Sequence, residues 1–528
     1  MTSRIPPVLR PEHPVPRSLA MLVQEFGLDH RGSVDGVEVS GVTLGTGDLH
    51  PGDLFVGIQG VNSHGASYAA AAKQGGAVAI LTDAAGADIA AADPDAAGLP
   101  ILIVDDPRGA LGALSAWVYR TAESNALLFG TTGTNGKTST SYLLEAVLRQ
   151  LGLVTGLSST AERHIGELTV VSRLTTPEAS EMHALLARMR EAGVRAVAVE
   201  VSAQALTRRR IDGLVFDVVA FTNLSHDHLD DYADMEEYFQ AKLALFAPEH
   251  GKRGVVCLDT AWGARVVAES RIPVTTIATV GHASPEDVAN AEWVVEVLEE
   301  SAAYTEFRLT GPDGRSLVTR EPLIGWHMAA NAALAIVMLV EAGFELEAIG
   351  AALAVDDEGH GGIQAYLPGR TERVSGDRGP SVYVDFGHSP DAFENTLAAV
   401  RQFTTGRTIM VFGADGDRDA TKRHEMARVA AQGSDILVIT DHHPRFEDAA
   451  SIRATLLEGA KLAADQPETY EVSPPEAAIR KAVSLAKEGD SILWAGPGHQ
   501  DYRDIRGERT PYSARDEARA ALREAGWA

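Results

Sequence analysis

Gly130-Thr131-Thr132-Gly133-Thr134-Asn135-Gly136-Lys137-Thr138 follows a short apolar run, Ala126-Leu127-Leu128-Phe129, and precedes Tyr142-Leu143-Leu144-Glu145-Ala146-Val147-Leu148, where apolar residues recur at helical spacing. A buried strand, a glycine-rich turn and a Gly-Lys-Thr opening a helix make the layout of a phosphate-binding loop. Glycines let the backbone turn tightly, so successive N–H groups point inward at phosphate oxygens. The helix N-terminus adds about half a positive charge. In this layout Lys137 reaches the terminal phosphates and Thr138 offers its hydroxyl to Mg²⁺, with Gly133, Thr134, Asn135, Gly136 and Ser139 completing an ATP loop. The usual spacing is not fully kept. Thr131 stands where the first glycine of the pattern is expected, and glycines fall at 130 and 133 instead. A plain turn is the rival reading, and the flanking strand and helix weigh against it.

Working outward, the region 125–367 continues with strands at Ala196-Val197-Ala198-Val199-Glu200-Val201 and Val215 to Thr222. Strands alternating with helices predict a largely parallel sheet covered on both faces. Ligands collect at the carboxyl ends of such strands, which is where Glu200-Val201-Ser202 and Thr222-Asn223-Leu224-Ser225-His226-Asp227-His228 lie. Beside a phosphate loop, a carboxylate and imidazoles are candidate ligands for a hard cation. Lys242 sits on a helix expected over Met235 to Phe246; by itself it reads as a solvated charge.

The region 368–528 repeats the alternation, with strands at Val382 to Asp385, Thr408 to Phe412, Ile436 to Thr440 and Ser491 to Ala495. Three polar loops follow: Gly413-Ala414-Asp415-Gly416-Asp417-Arg418-Asp419, Asp441-His442-His443-Pro444-Arg445 and Gly496-Pro497-Gly498-His499-Gln500. Loops at one end of a parallel sheet converge, so together they predict a binding site. The region 1–124 reads as a smaller α/β domain without a catalytic cluster. Its Ala84 to Ala97 stretch is expected to be a solvated loop or surface helix. The fold class is therefore α/β in three domains: a central parallel-sheet P-loop ATPase domain, an N-terminal α/β domain and a C-terminal Rossmann-like domain.

The chain has 528 residues and a formal charge of −27. Such a surface repels nucleic acid and anionic membrane, and no long Lys/Arg run offsets it; neither is expected as a partner. The single Cys257 excludes a disulfide within the chain and any cysteine metal cluster; it reads as a buried strand residue. Met1 to Pro7 lacks the apolar core of a signal peptide, and the apolar stretch Met328 to Val340 is too short to span a bilayer. A cytoplasmic monomer is expected.

Further along, the chain carries Thr175-Thr176-Pro177, Glu200-Val201-Ser202, Thr222-Asn223-Leu224-Ser225 with Asp227-His228-Leu229-Asp230, Lys242, Pro368-Gly369-Arg370 with Glu372, Asp385 with His388-Ser389-Pro390-Asp391-Ala392, and Gly416-Asp417-Arg418-Asp419 before Lys422-Arg423. In this order, and with the Gly133–Thr138 loop, the chain resembles the Mur ligases and their folylpolyglutamate synthase relatives over nearly its whole length. It looks most like the type that adds the third residue of the peptide. The resemblance implies domains for the UDP-sugar (1–124), ATP (125–367) and the incoming amino acid (368–528). It implies an ATP-dependent ligation in which UDP-MurNAc-L-Ala-D-Glu becomes an acyl phosphate and a free amino acid attacks it. Lys137 and Thr138 would hold phosphates and Mg²⁺, while Glu200, His228 and a carbamylated Lys242 would hold a second Mg²⁺. Thr46, Thr175, Thr176, Ser202, Arg208 and Arg210 fall on the UDP-MurNAc-dipeptide side; Asn331, Arg370 and Asp385 on the ATP side; Arg418, His442, His443, Arg445, Gly496 and Gln500 on the amino-acid side.

Departures from the family pattern bear on these roles. Gly45-Thr46-Gly47 replaces Asp-Ser-Arg, Gln204 stands for a histidine and Met328 for an asparagine. In the amino-acid pocket His442-His443-Pro444-Arg445 replaces Asp-Asn-Pro-Arg, and Gln500 replaces a glutamate. With two acids lost, diaminopimelate stays open beside lysine, ornithine, diaminobutyrate and homoserine. Two other readings are a non-ligase P-loop NTPase, which would not need Lys242 or the third-domain loops, and a non-catalytic or amidotransferase-partnered relative, against which the single cysteine and the retained Lys137, Glu200, His228 and Lys242 argue.

Overall fold

The computed structural model describes residues 8–356, 358 and 360–527, and carries three main sheets in chain order. The central sheet has eleven strands. Seven are parallel, in the spatial order Thr155–Ser158, Ala196–Glu200, Leu127–Thr132, Val218–Phe221, Gly254–Cys257, Val274–Thr279 and Trp293–Glu300. Antiparallel strands close both edges. The loop strand Leu127–Thr132 thus lies inside the sheet and runs on through Gly130-Thr131-Thr132, beyond the apolar run that announces it. Its neighbours pack tightly: a Cβ on Gly130 would already be 3.1 Å from the Phe216 ring.

The helix Lys137–Gln150 packs on one face of this sheet beside Trp326–Glu341, the buried helix expected from Met328 to Val340. Leu143, Leu144 and Val147 of the first helix and Ala333, Ile336 and Val337 of the second are fully buried. The opposite face buries Leu185, Met189, Val199, Phe216 and Phe239 in a second core. Helices on both faces leave the two sheet ends as the places where a ligand can enter.

The C-terminal sheet is parallel in the order Ser381–Asp385, Ser491–Ala495, Thr408–Phe412, Ile436–Ile439, Glu468–Glu471, with a short antiparallel strand, Glu372–Arg373, at its edge. The N-terminal sheet has five strands, four of them parallel. Of the two forms expected for Ala84 to Ala97 the helix is the one found: Ala84–Ala92 is capped by Asp83 and buries Ala87 and Ala90, because its small side chains allow close approach. The strand expected from Val215 shortens to Val218–Phe221, since Phe216 makes an isolated bridge to Gly251 instead. Among the described residues no helix is long and apolar enough to cross a membrane.

Candidate active site

The carboxyl ends of the central and C-terminal sheets face each other across a cleft of about 1390 Å³. On its floor, Gly133 and Gly136 hold positive φ, 150° and 87°. Space alone excludes a side chain at Gly133: a Cβ would stand 1.8 Å from Thr222 Oγ1. Lys137 Nζ folds back to donate to the carbonyls of Gly133 (3.0 Å) and Thr134 (2.8 Å). Lys242 Nζ donates to the same Gly133 carbonyl at 2.7 Å. The lone helical lysine of the sequence is therefore not a solvated charge; it is 1% exposed, with its nitrogen 4.3 Å from the Tyr238 ring centre. Burial, reinforced by the charge on Lys137, pushes the Lys242 amine well below its ordinary range, against the pull of Asp227. Burial lowers Lys137 too, opposed by Glu200 and Asp227.

Glu200, at the end of its strand, is fully buried. Its carboxylate accepts from the Thr160 N–H and Oγ1–H, both at 2.9 Å, and has no cation within salt-bridge distance among the described residues. A buried carboxylate met only by neutral donors is costly, so this donor set fits a cation completing it. His228 holds a left-handed φ of 58°, unusual for a non-glycine residue. Burial, with Asp227 opposing, takes its pKa down to about 4, leaving a neutral ring able to ligate. The clusters of metal-ligating type among the described residues are Asp415-His442-His443 and His228-Asp230-Asp231; Glu200 belongs to neither. Of the expected Mg²⁺ ligands, Thr138, Glu200 and His228 line the cleft without closing a cage, while Lys242 does not line it and lies against the Gly133 carbonyl; an open set suits a cation that keeps water and phosphate oxygens.

The C-terminal domain closes over this floor. Arg370 Nη2 donates to Thr138 Oγ1 at 2.7 Å, and its guanidinium lies 4.4 Å from the Phe386 ring centre. Asp385 accepts from the N–H groups of Thr371 (2.7 Å) and Gly387 (2.6 Å) and so shapes the backbone beside Arg370. Asn135 Nδ2 donates to Asp391 at 3.0 Å, and Lys422 pairs with Asp227 at 2.6 Å. At one side of the cleft His282 stacks on Trp326, ring centres 3.6 Å apart, near Asn331, Asp259 and Cys257.

The three C-terminal loops converge as expected. Asp504 N–H donates to His443 Nδ1 at 2.9 Å, so His443 Nε2 carries the proton that Gln500 Oε1 accepts at 2.9 Å. Burial lowers His443 and takes His442 down to about 3, so both rings are neutral. Arg445 pairs with Asp415 at 3.2 Å. A Cβ on Gly496 would meet the His442 ring at 3.0 Å.

Family models match along the chain in order: the Mur ligase family, catalytic domain at 38–119, the Mur ligase middle domain at 131–339, and the Mur ligase, glutamate ligase domain at 369–498. A UDP-N-acetylmuramyl-tripeptide synthetase from Leifsonia xyli is 62% identical over all of both chains. The chain belongs to the Mur ligase family. A UDP-N-acetylmuramoyl-L-alanyl-D-glutamate--2,6-diaminopimelate ligase from Streptomyces avermitilis is 41% identical over 99% of each chain. A solved structure of a ligase of that same name has a TM-score of 0.63 at 23% identity, covering 97% of this chain and 100% of the other, which supports the fold.

Within this Mur ligase, the cleft brings together the loop residues Thr134 to Ser139, Glu200, His228, Asn331, Arg370, Asp385, Arg418, His442, His443, Arg445, Gly496 and Gln500. Of the dipeptide-side residues, Thr175, Ser202 and Arg210 line it. Thr176 does not face it: fully buried, its hydroxyl donates to the Glu200 carbonyl (2.7 Å) and accepts from Ser202 N–H (3.1 Å), so it orients those two residues. Arg208 pairs with Asp231, and Thr46 lies in a short turn of the N-terminal domain; both stand off the lining. Sequence reasoning missed Asp415, Trp326 and His282. Asp415 was legible only as one acid among three in its loop, and the Trp326–His282 stack joins residues distant in sequence.

Proposed function

We propose that this chain is an ATP-dependent amide ligase that adds the third residue of the peptide to UDP-MurNAc-L-Ala-D-Glu. The observation that carries the reading is the meeting of Lys137, which lines the cleft, and the buried Lys242 at the Gly133 carbonyl, on a floor that the C-terminal domain covers through Arg370. The full-length likeness to a tripeptide synthetase supports the same substrate.

A carboxylate is a poor electrophile, and activating it requires bringing two anions together. Lys137, close to the helix N-terminus, and Arg370 supply positive charge where phosphoryl charge develops. The terminal carboxylate of the dipeptide attacks the γ-phosphate; the O–P bond to ADP breaks as the new one forms, leaving an acyl phosphate. The amine of the incoming residue then attacks the acyl carbon, loses a proton and expels phosphate. Thr138, Glu200, His228 and a carbamate on Lys242 are the groups that would hold Mg²⁺, which when bound neutralises charge on the phosphate oxygens. Lys242 is chemically suited to the modification, because burial lowers its amine and so favours the unprotonated form that is nucleophilic toward CO₂. His442, His443, Arg445, Gly496 and Gln500 form the amino-acid end, beside the hairpin Tyr502–Pro511.

The test is phosphate release from ATP with UDP-MurNAc-L-Ala-D-Glu and a panel of amino acids. Release that requires both the UDP-dipeptide and an amino acid supports the ligase. Full-rate hydrolysis without either would assign the loop to a plain NTPase.

A further inference from the structure

We infer that Asp415 selects the incoming amino acid by taking a side-chain ammonium, so that the third residue is a diamino acid without a second carboxylate. This rests on the ligase reading above and deepens its amino-acid end.

Asp415 lines the cleft at the end of the strand Thr408–Phe412. Its two oxygens differ. Oδ2 is held by Arg445 Nη2 at 3.2 Å. Oδ1 is covered by protein yet has no hydrogen-bond partner. The nearest polar neighbour of Oδ1 in its cluster is His442 Nε2 at 3.9 Å, beyond hydrogen-bond reach. An ionised oxygen left bare in a covered site is costly unless a ligand completes it. Burial opposes the charge on Asp415, but with the Arg445 guanidinium at 3.2 Å its carboxyl lies below the usual carboxylate range. One ammonium can donate to Oδ1 and to the neutral His442 ring together.

The same geometry disfavours a second carboxylate. Arg445 spends its guanidinium on Asp415 and on the Gly416 carbonyl at 3.0 Å. Arg418 turns toward Asp230 of the central domain, 3.9 Å away. A resident metal at Asp415-His442-His443 fits less well, because both ring nitrogens of His443 are already bonded.

The experiment measures kcat/KM for L-lysine, L-ornithine, L-2,4-diaminobutyrate, meso-diaminopimelate and the neutral analogues L-norleucine and L-homoserine. It does so in the wild type, Asp415→Asn and Asp415→Glu. The readout is the ratio of diamine to neutral analogue within each protein, which cancels any difference in folded fraction. The wild type should favour one monocarboxylic diamine over both its neutral analogue and meso-diaminopimelate. Asp415→Asn should cut that ratio by about 10- to 100-fold, the worth of a charged hydrogen bond, and Asp415→Glu should retain part of it. A wild-type preference for meso-diaminopimelate, taken up by Arg445 or by Arg509, which also lines the cleft, or a ratio unmoved in Asp415→Asn, overturns the inference. Hydroxylamine trapping of the acyl phosphate from UDP-MurNAc-L-Ala-D-Glu and ATP, without amino acid, separates the two readings. Trapping with the wrong amino-acid preference sinks the selectivity alone; no trapping sinks the ligase assignment.

Discussion

Lys137 and Lys242, 105 positions apart in the chain, donate to one acceptor, the Gly133 carbonyl, at 3.0 and 2.7 Å. Two ammonium groups that close repel each other in a covered site, and that repulsion is one reason the Lys242 amine is pushed down. The loop therefore brings together two amines that burial lowers, Lys137 with Glu200 and Asp227 opposing the fall and Lys242 with Asp227 alone opposing it. Lys137→Ala removes a charge aimed at the phosphoryl group. It should lower kcat at least about 10²-fold, a few kcal/mol of transition-state stabilisation, while circular dichroism stays native. Near-normal turnover in a folded variant would remove the phosphate-loop assignment.

Lys242→Ala should be almost inactive for a different reason, the loss of an anionic carbamate. Acetate or formate, small enough for the vacated space, should restore part of the rate. Wild-type enzyme stripped of CO₂ should lose activity and regain it with bicarbonate. An alanine variant that turns over normally, or rescue by neutral amides as good as rescue by carboxylates, would rule the carbamate out.

How much of this was legible in the sequence depends on whether the signal was local. The loop, its strand and its helix lie within one stretch, and glycines at 133 and 136 announce positive φ, so the floor of the cleft could be read directly. Strand order could not be, because the pairing of Leu127–Thr132 with both Ala196–Glu200 and Val218–Phe221 is set by packing between distant segments. Lys242 carries no local sign of burial; only its place under the loop makes it chemical. Thr176 shows the converse: it stands beside Thr175 in the motif, yet its hydroxyl is consumed by the backbone. Asp415 was masked by Asp417 and Asp419 in the same loop, and its place against His442 and His443, which only the fold creates, sets it apart.

His164 gives a pH-dependent prediction away from the chemistry. It bridges Glu145 at 2.7 Å and Glu162 at 3.3 Å inside the central domain. Burial alone would lower its pKa, but the two carboxylates outweigh it and raise it to about 9. Since the folded pKa lies above the unfolded value of about 6.5, the stabilisation is full below about pH 6.5 and is lost as pH rises through about 9. The effect should be worth about 1–3 kcal/mol. The thermal midpoint should fall between pH 6 and 9.5, and His164→Gln should start lower and vary less over that range. Equal pH profiles for the two proteins would show that the bridge contributes nothing.

The Asp227–Lys422 pair is a buried ionic link between the central and C-terminal domains, at 2.6 Å with side chains 6% and 11% exposed. It neighbours His228 and follows the loop that carries Arg418, so it fastens the closed arrangement where the chemistry is expected. Removing one partner strands the other charge in a covered site, at a cost of about 3–5 kcal/mol, whereas removing both leaves no orphan. Lys422→Met should therefore weaken domain docking, and small-angle scattering should report a larger radius of gyration than in the wild type. Turnover should fall with it. Asp227→Asn combined with Lys422→Met should recover stability relative to Lys422→Met alone, the signature of a coupled pair in a double-mutant cycle. Additive losses and an unchanged scattering profile would show that Arg370–Thr138 and Asn135–Asp391 hold the domains together without it.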